Sequence, residues 1–353
     1  MATIALCMIV KNEEATLGRC LSSVADAVDE IVIADTGSTD QTVSIARSFG
    51  ARVFWFPWID DFAAARNFSF SKAKMDFCLW MDADDVILPE DLPKLKELKE
   101  TLTDQVDAVF FPYYAAVDEN GKPTFSFERE RLIRRAASLC WEGAVHEAIA
   151  VPSGRVFHAN VPVYHRKEKA PDKERNLRIY ERQKERGCKF TLRETVYFAR
   201  EYRDHGRYAE AEELLDPVLA AGQGWAVLLQ DAAALKAECR RAAGDPEGEL
   251  AALTQSLQFA PPSPELCCAF GAWFFQAERY QEAHWWYESA LRSEPLPGAF
   301  SQPACRDFLP AIQLCVCCWR LGDREQARRW NEKAASFRPD SAAVAYNRQF
   351  FKE

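Results

Sequence analysis

Residues 77–85 read Phe-Cys-Leu-Trp-Met-Asp-Ala-Asp-Asp, an apolar run that ends in the carboxylates of Asp82, Asp84 and Asp85. An uncharged apolar run of this length reads as a strand buried on both faces. At the carboxyl edge of an open α/β sheet, where ligands bind, alternating carboxylates can hold a divalent cation through hard oxygen ligands. The cation can in turn grip phosphate oxygens. The same residues also read as a solvated acidic turn, and so short a motif does not separate the two.

Two other groupings invite a zinc reading and do not carry it. His146-Glu147 begins like the H-E-x-x-H helix of zinc proteases, but position 150 is Ala, so the second histidine is missing. Cys267-Cys268 and Cys315-Val316-Cys317-Cys318 lack the spacing of structural zinc pairs. Small thiols filling helix crossings are the better account. Trp273, Trp285, Trp286, Trp319 and Trp330 read either as a carbohydrate or peptide groove or as core, with core favoured by their spacing.

The elements that must position the acidic turn alternate in type. Residues 4–10 are a continuous apolar run, and 14–28 carry Leu17, Cys20, Leu21 and Val24 at helical spacing. Residues 31–34 and 52–56 read as strands, 42–49 and 61–73 as helices, with Gly50 a C-cap and Asp40 an N-cap. Alternation of this kind predicts βαβ units and a mostly parallel sheet. The turns at Lys11-Asn12, Asp35 and Asp82 then open on one edge. Residues 90–104 predict a charged surface helix and 108–117 a further strand. The stretch 125–164 has short strand-like pieces, and 166–190 is rich in Lys, Arg and Glu.

From Leu192 onward Ala, Leu, Glu, Arg and Trp dominate and strand signals fade. A weak repeat is visible: Gly206-Arg207-Tyr208-Ala209-Glu210-Ala211 is echoed by Glu278-Arg279-Tyr280-Gln281-Glu282-Ala283 and by Gly322-Asp323-Arg324-Glu325-Gln326-Ala327, with a degenerate copy from Gly244. Helix-turn-helix units of roughly 34 residues with small residues at the crossings are the tetratricopeptide pattern. A generic helical bundle is the alternative, and residues 295–310 would be an insertion.

Several short pieces, in this order and spacing, resemble the family-2 glycosyltransferases of GT-A fold. They are Cys7-Met8-Ile9-Val10-Lys11-Asn12-Glu13-Glu14, Ala34-Asp35-Thr36-Gly37-Ser38-Thr39-Asp40, Ala65-Arg66-Asn67, Met81-Asp82-Ala83-Asp84, Glu142-Gly143-Ala144-Val145-His146-Glu147 and Val163-Tyr164-His165. The resemblance covers about residues 1–166. It is closest to bacterial members with C-terminal tetratricopeptide repeats, which include the sublancin-type peptide S-glycosyltransferases, and extends to some lipopolysaccharide-core glucosyltransferases.

The resemblance implies a role at each position. Val10 and Lys11 would line the nucleotide base, and Asp35 would hydrogen-bond it. Asp82 would lie near the ribose and Asp84 on Mg²⁺ or Mn²⁺, with His165 joining the metal. Arg66 would approach the nucleotide or its phosphates. Glu147 would be the general base, with His146 the competing base. Each has a plainer reading. Asp35 could cap the helix that follows, Arg66 could pair with Asp60 or Asp61 on the surface, Glu147 could be a structural carboxylate, and His165 a core or surface histidine. His158 and His205 read as structural.

Net charge −9, from 53 acids against 44 bases, argues against a nucleic-acid-binding body. Twelve cysteines at irregular spacing and no signal-like segment predict free thiols in a reducing, cytoplasmic setting. No apolar stretch approaches the roughly 20 residues of a membrane span. The expected architecture is a GT-A α/β domain over residues 1–166, a linker or connecting helix over 167–191, and an all-α repeat domain over 192–353. The expected function is metal-dependent, inverting transfer of a sugar from a UDP-sugar to a peptide or protein acceptor. The repeats would hold the acceptor or mediate self-association into a homo-oligomer. A lipid-linked or envelope saccharide acceptor, a nucleotidyltransferase and a catalytically weak scaffold are the rival readings.

Overall fold

The computed structural model describes residues 1–118, 121, 123–152, 154–168, 172–296 and 302–351. It divides into two compact units, Met1–Lys189 and Phe190–Glu353.

In the first unit, β1 (Ile4–Val10), α1 (Leu17–Val24), β2 (Glu30–Asp35), α2 (Thr42–Ser48), β3 (Arg52–Trp55), α3 (Phe62–Lys72) and β4 (Phe77–Trp80) alternate as expected. Then come β5 (Asp85–Val86), α4 (Leu92–Thr101), the long strands β6 (Ala108–Val117) and β7 (Pro123–Arg134), and the short pair β8 (Trp141–Glu142) and β9 (Ala148–Ile149). The unit ends with β10 (Val156–His158), β11 (Val163–His165) and α5 (Arg175–Glu185). The main sheet runs β3-β2-β1-β4-β7-β6-β11-β5, with β10 also on β6. β3, β2, β1 and β4 are mutually parallel, and β7 enters antiparallel between β4 and β6. This mixed, mostly parallel sheet is the GT-A arrangement.

β1 is apolar throughout because both its faces are covered. Ile4, Leu6, Met8 and Val10 join the main core with Leu17, Cys20, Leu21 and Val24 of α1, while Ala5 and Cys7 pack against Val32, Ala73 and Cys78. Parallel pairing delivers the ends of β1 and β2 to one edge, with Val10 opposite Asp35. The two turns that follow are tied together. Asn12, in the left-handed region at φ 55, donates from its backbone to Ser38 Oγ at 3.0 Å, and its side-chain oxygen accepts from Thr39 N at 2.7 Å. Asp40 accepts from Thr42 N at 2.9 Å, at the start of α2. Asp61 caps α3 by accepting from Ala64 N at 2.8 Å. The helix over 175–185, within the stretch read as a linker or connecting helix, buries Leu177, Ile179 and Tyr180 and belongs to the first unit.

The second unit is helical. Its elements are α6 (Leu192–Asp204), α7 (Tyr208–Ala221), α8 (Ala226–Ala242), α9 (Pro246–Ser256), α10 (Pro264–Gln276), α11 (Tyr280–Arg292), α12 (Phe308–Arg320), α13 (Arg324–Phe337) and α14 (Ala342–Arg348). Four successive pairs, α6/α7 to α12/α13, are tetratricopeptide-like. Each pair turns through three residues whose middle one has positive φ: Gly206 at 72, Gly244 at 74, Glu278 at 59 and Gly322 at 86. The repeat seen in the sequence is this turn together with the first residues of the second helix. Small residues meet at the crossings, and a Cβ on Gly271 would fall 2.7 Å from the Tyr287 ring. The thiols of Cys267, Cys268 and Cys317 lie in the same core. Trp286 stacks on Phe270 at 4.2 Å and Trp330 also packs inward, whereas Trp285 is 59% exposed. The insertion expected over 295–310 falls partly on 297–301, outside the described residues.

Candidate functional site

At the edge where β1, β2 and β4 end, a cavity of about 590 Å³ is lined by Val10, Lys11, Arg66, Asp82, Asp84, His146, Glu147 and His165, among others. Eight of the nine residues singled out from the sequence line its wall. Asp35 is the exception that lies behind it. Asp35 is 6% exposed, and its carboxylate accepts from Gly37 N at 3.3 Å and Ser38 N at 3.1 Å. It holds its own turn in shape, while the neighbouring Thr36 reaches the cavity.

The acidic turn divides its carboxylates between two tasks. Asp85 is fully buried. One of its oxygens sits 2.9 Å from Arg131 and accepts from Asp82 N at 3.1 Å; the other, Oδ1, is buried without a hydrogen-bond partner among the described residues. His165 Nδ1 is likewise buried and unpartnered. It lies 3.6 Å from that Asp85 oxygen and 3.5 Å from Asp84 Oδ1. β11 makes this meeting: it pairs antiparallel with β5, placing His165 opposite Asp85.

Asp84, Asp85 and His165 offer ligand atoms that all lie within 4.8 Å of one another. Ligands at right angles around a cation about 2.1 Å away stand roughly 3 Å apart, and the 3.5 and 3.6 Å separations of His165 from Asp84 and Asp85 lie near that value. Two buried atoms 3.6 Å apart without hydrogen-bond partners among the described residues, in an oxygen-rich donor set with one imidazole, fit Mn²⁺ or Mg²⁺. Burial pushes the Asp84 carboxyl up, and the Asp82 and Asp85 charges add to this against the opposing pull of His165. The His165 imidazole is drawn up by Asp85 and Asp84, against burial.

Asp82 faces elsewhere. Its Oδ1 accepts from Arg66 Nη2 at 2.8 Å, and Arg66 Nε donates to Glu147 Oε1 at 2.6 Å. Arg66 is 6% exposed and lies over Trp80 at 4.6 Å and Trp141 at 5.0 Å. Burial would lower its pKa, but Asp82 and Glu147 outweigh that and raise it, keeping the guanidinium charged. Burial would raise the Asp82 carboxyl, but Arg66 and then Arg131 hold it down at about 2. The alternative surface pairing of Arg66 with Asp60 or Asp61 is not what forms: Asp60 pairs with Arg182 at 2.5 Å and Asp61 caps α3.

Glu147 ends an irregular segment whose backbone is anchored at several points. Asn67 clamps Trp141 in both directions at 2.9 Å, Phe62 N donates to Ala144 O at 2.8 Å, and Tyr180 Oη donates to Val145 O at 3.4 Å. Gly143 at φ 91 and His146 at φ 53 supply the left-handed turns, a conformation glycine adopts freely and other residues seldom do. The His146 ring stacks near Tyr180 at 6.4 Å.

Sequence reasoning named Asp84 and His165 and missed Asp85, Arg131 and Trp80. Asp85 was visible as the third acid of the run. Arg131, 1% exposed, lies 3.8 Å over Trp80 and 4.5 Å over Tyr113; its only sequence signal is a charge beside the apolar residues of β7. His158, read as structural, pairs with Glu128 at the surface.

Residues 5–160 match the model of glycosyl transferase family 2. A TPR repeat-containing protein of Synechococcus elongatus is 38% identical over 149 residues, which is 42% of this chain and 36% of that protein. An uncharacterized glycosyltransferase of Rickettsia typhi is 34% identical over 110 residues, 31% of this chain and 34% of its own. The SPbeta prophage-derived glycosyltransferase SunS of Bacillus subtilis is 30% identical over 171 residues, 46% of this chain and 39% of its own. The match thus spans well under two thirds of each relative. The first unit of this chain is a family-2 glycosyltransferase domain, followed in sequence by a tetratricopeptide-like helical unit.

Proposed function

We propose that the chain is a metal-dependent, inverting glycosyltransferase that moves a sugar from a UDP-sugar to a peptide or protein. The observation that carries this reading is one cavity bordered by Asp84 and His165, with Asp85 buried directly beside them, and by Glu147. Sugar transfer needs a cationic place for the departing diphosphate and a base for the incoming nucleophile.

Val10, Lys11 and the turn shaped by Asp35 receive the nucleoside, and Asp82 lies toward the ribose. Asp84, Asp85 and His165 would hold Mn²⁺ or Mg²⁺, which would supply Lewis-acid neutralisation of the diphosphate. Glu147 Oε2 takes the proton of the acceptor hydroxyl or thiol as general base. The nucleophile bonds to the anomeric carbon as the bond from that carbon to the diphosphate oxygen breaks, with its electron pair leaving on the diphosphate. A single displacement of this kind inverts the anomeric centre. His146, on the same cavity wall, is the alternative base. The helical unit is the acceptor-holding part, since repeat arrays present extended surfaces to extended partners. Among the described residues no helix is long and apolar enough to cross a membrane.

The test is nucleotide release from a panel of UDP-sugars with Mn²⁺ or Mg²⁺, run with and without peptide acceptors. We expect one donor to be consumed, with the activity lost in EDTA and in Asp84→Ala. Turnover undiminished by EDTA would remove the metal from the reading. No binding of UDP or of any UDP-sugar by calorimetry would remove the UDP donor.

A further inference from the structure

The guanidinium of Arg66 touches two carboxylates at once, and the geometry of that contact reaches beyond neutralising them. Nε and Nη2 lie on the same edge of the planar fork, the edge that normally receives one carboxylate in bidentate fashion. Here that edge is shared: Nε serves Glu147 Oε1 at 2.6 Å and Nη2 serves Asp82 Oδ1 at 2.8 Å. Two like charges are thereby held side by side. The fork itself has little freedom to turn, since it lies over Trp80 and Trp141 and its side chain is 7% exposed. Glu147 Oε1 is spoken for, while Oε2 has no hydrogen-bond partner among the described residues and the side chain borders the cavity.

We infer that Arg66 is the positioning residue of the transfer step: its shared edge fixes Glu147 to Asp82 so that Oε2, and not Oε1, meets the acceptor proton. This rests on the glycosyltransferase reading, with Glu147 as base, and adds to it. Arg66 need not touch the donor, because it acts through Glu147. A merely structural arginine would cost the same factor whatever stands at position 147. A positioning arginine costs little once the base it positions is gone, because residues that act as a unit are strongly non-additive.

A double-mutant cycle of Arg66→Lys and Glu147→Gln decides between them, reading kcat for transfer alongside the donor dissociation constant from calorimetry. Lysine keeps the charge and loses the fork. We expect Arg66→Lys to lower kcat about 100-fold, within the range for a misplaced base, with donor affinity changed less than about fivefold. In the Glu147→Gln background the same change should cost less than about threefold. Losses that multiply across the cycle overturn the inference. Should Arg66→Lys fail to fold, Arg66→Gln takes its place in the cycle under the same criterion. Full turnover by Glu147→Gln alone would instead fail the parent assignment of the base, a different result from a multiplying cycle with an impaired Glu147→Gln.

Discussion

The two units bury different chemistry. The first keeps Arg66, Asp85, Glu130 and Arg131 inside, beside tryptophans and strand ends, and of its four described left-handed non-glycine residues His146 lines the candidate site and Asn12 lies between two residues that do. The second buries thiols, alanines and scattered polar groups, Gln230 and Asn331 with the carboxylates of Glu201 and Glu249, and its left-handed residues punctuate the turns between helices. The difference follows from how each fold satisfies its backbone. Helices close their hydrogen bonds internally and need only small side chains where they cross. A parallel sheet brings several strand ends to one edge, where loops must be held by side chains and polar groups converge. Convergence of charge therefore marks the first unit, and regularity marks the second.

The largest expected effect tests whether buried charge supports only the first unit. Arg131→Met leaves Asp85 without its 2.9 Å partner. Breaking one side of a buried pair typically costs about 3–5 kcal/mol. We expect that loss in denaturant unfolding, with hydrogen exchange rising on the strands and unchanged on α10 to α13. A uniform rise across both units would show that they unfold as one, and the comparison would fail. A smaller effect tests the turns of the second unit. Nothing lies within 4 Å of a Cβ added at Gly322, so Gly322→Ala isolates the cost of φ 86, about 1–2 kcal/mol. Glu278→Gly, at the matching turn, should stabilise by a fraction of that. Both substitutions should leave donor hydrolysis unchanged, and an altered rate would tie the helical unit to the chemistry.

The smallest effect concerns pH. The folded Asp82 carboxyl is depressed to about 2, below the ordinary value of about 3.9. Its contribution to stability is therefore present above about pH 4 and lost as the pH falls toward 2. Asp82→Asn should flatten that part of a plot of Tm against pH, and an unchanged acid limb would place the acid sensitivity on other groups.

Much of the frame was legible because it is local. The apolar runs at 4–10 and 77–80, the turn residues after them and the recurring turn at 206, 244, 278 and 322 are written in neighbouring residues. Asp84 and His165 could be singled out by type and order, and Asp85 stood beside them. What these residues touch was not legible. Asp35 reads like a ligand contact, yet its carboxylate is occupied by its own turn. Arg66 reads like a surface or phosphate arginine, yet it lies under two tryptophans.

By itself the sequence determined most strands and helices outside 123–190, that strand ends share an edge, and that a helical repeat follows, since periodicity and turn chemistry act over a few residues. Only the tertiary structure decided that His165 faces Asp85 and that one guanidinium joins Asp82 to Glu147. Those meetings depend on strand register and on packing between residues far apart in the chain, where a shift of one position turns a side chain to the opposite face.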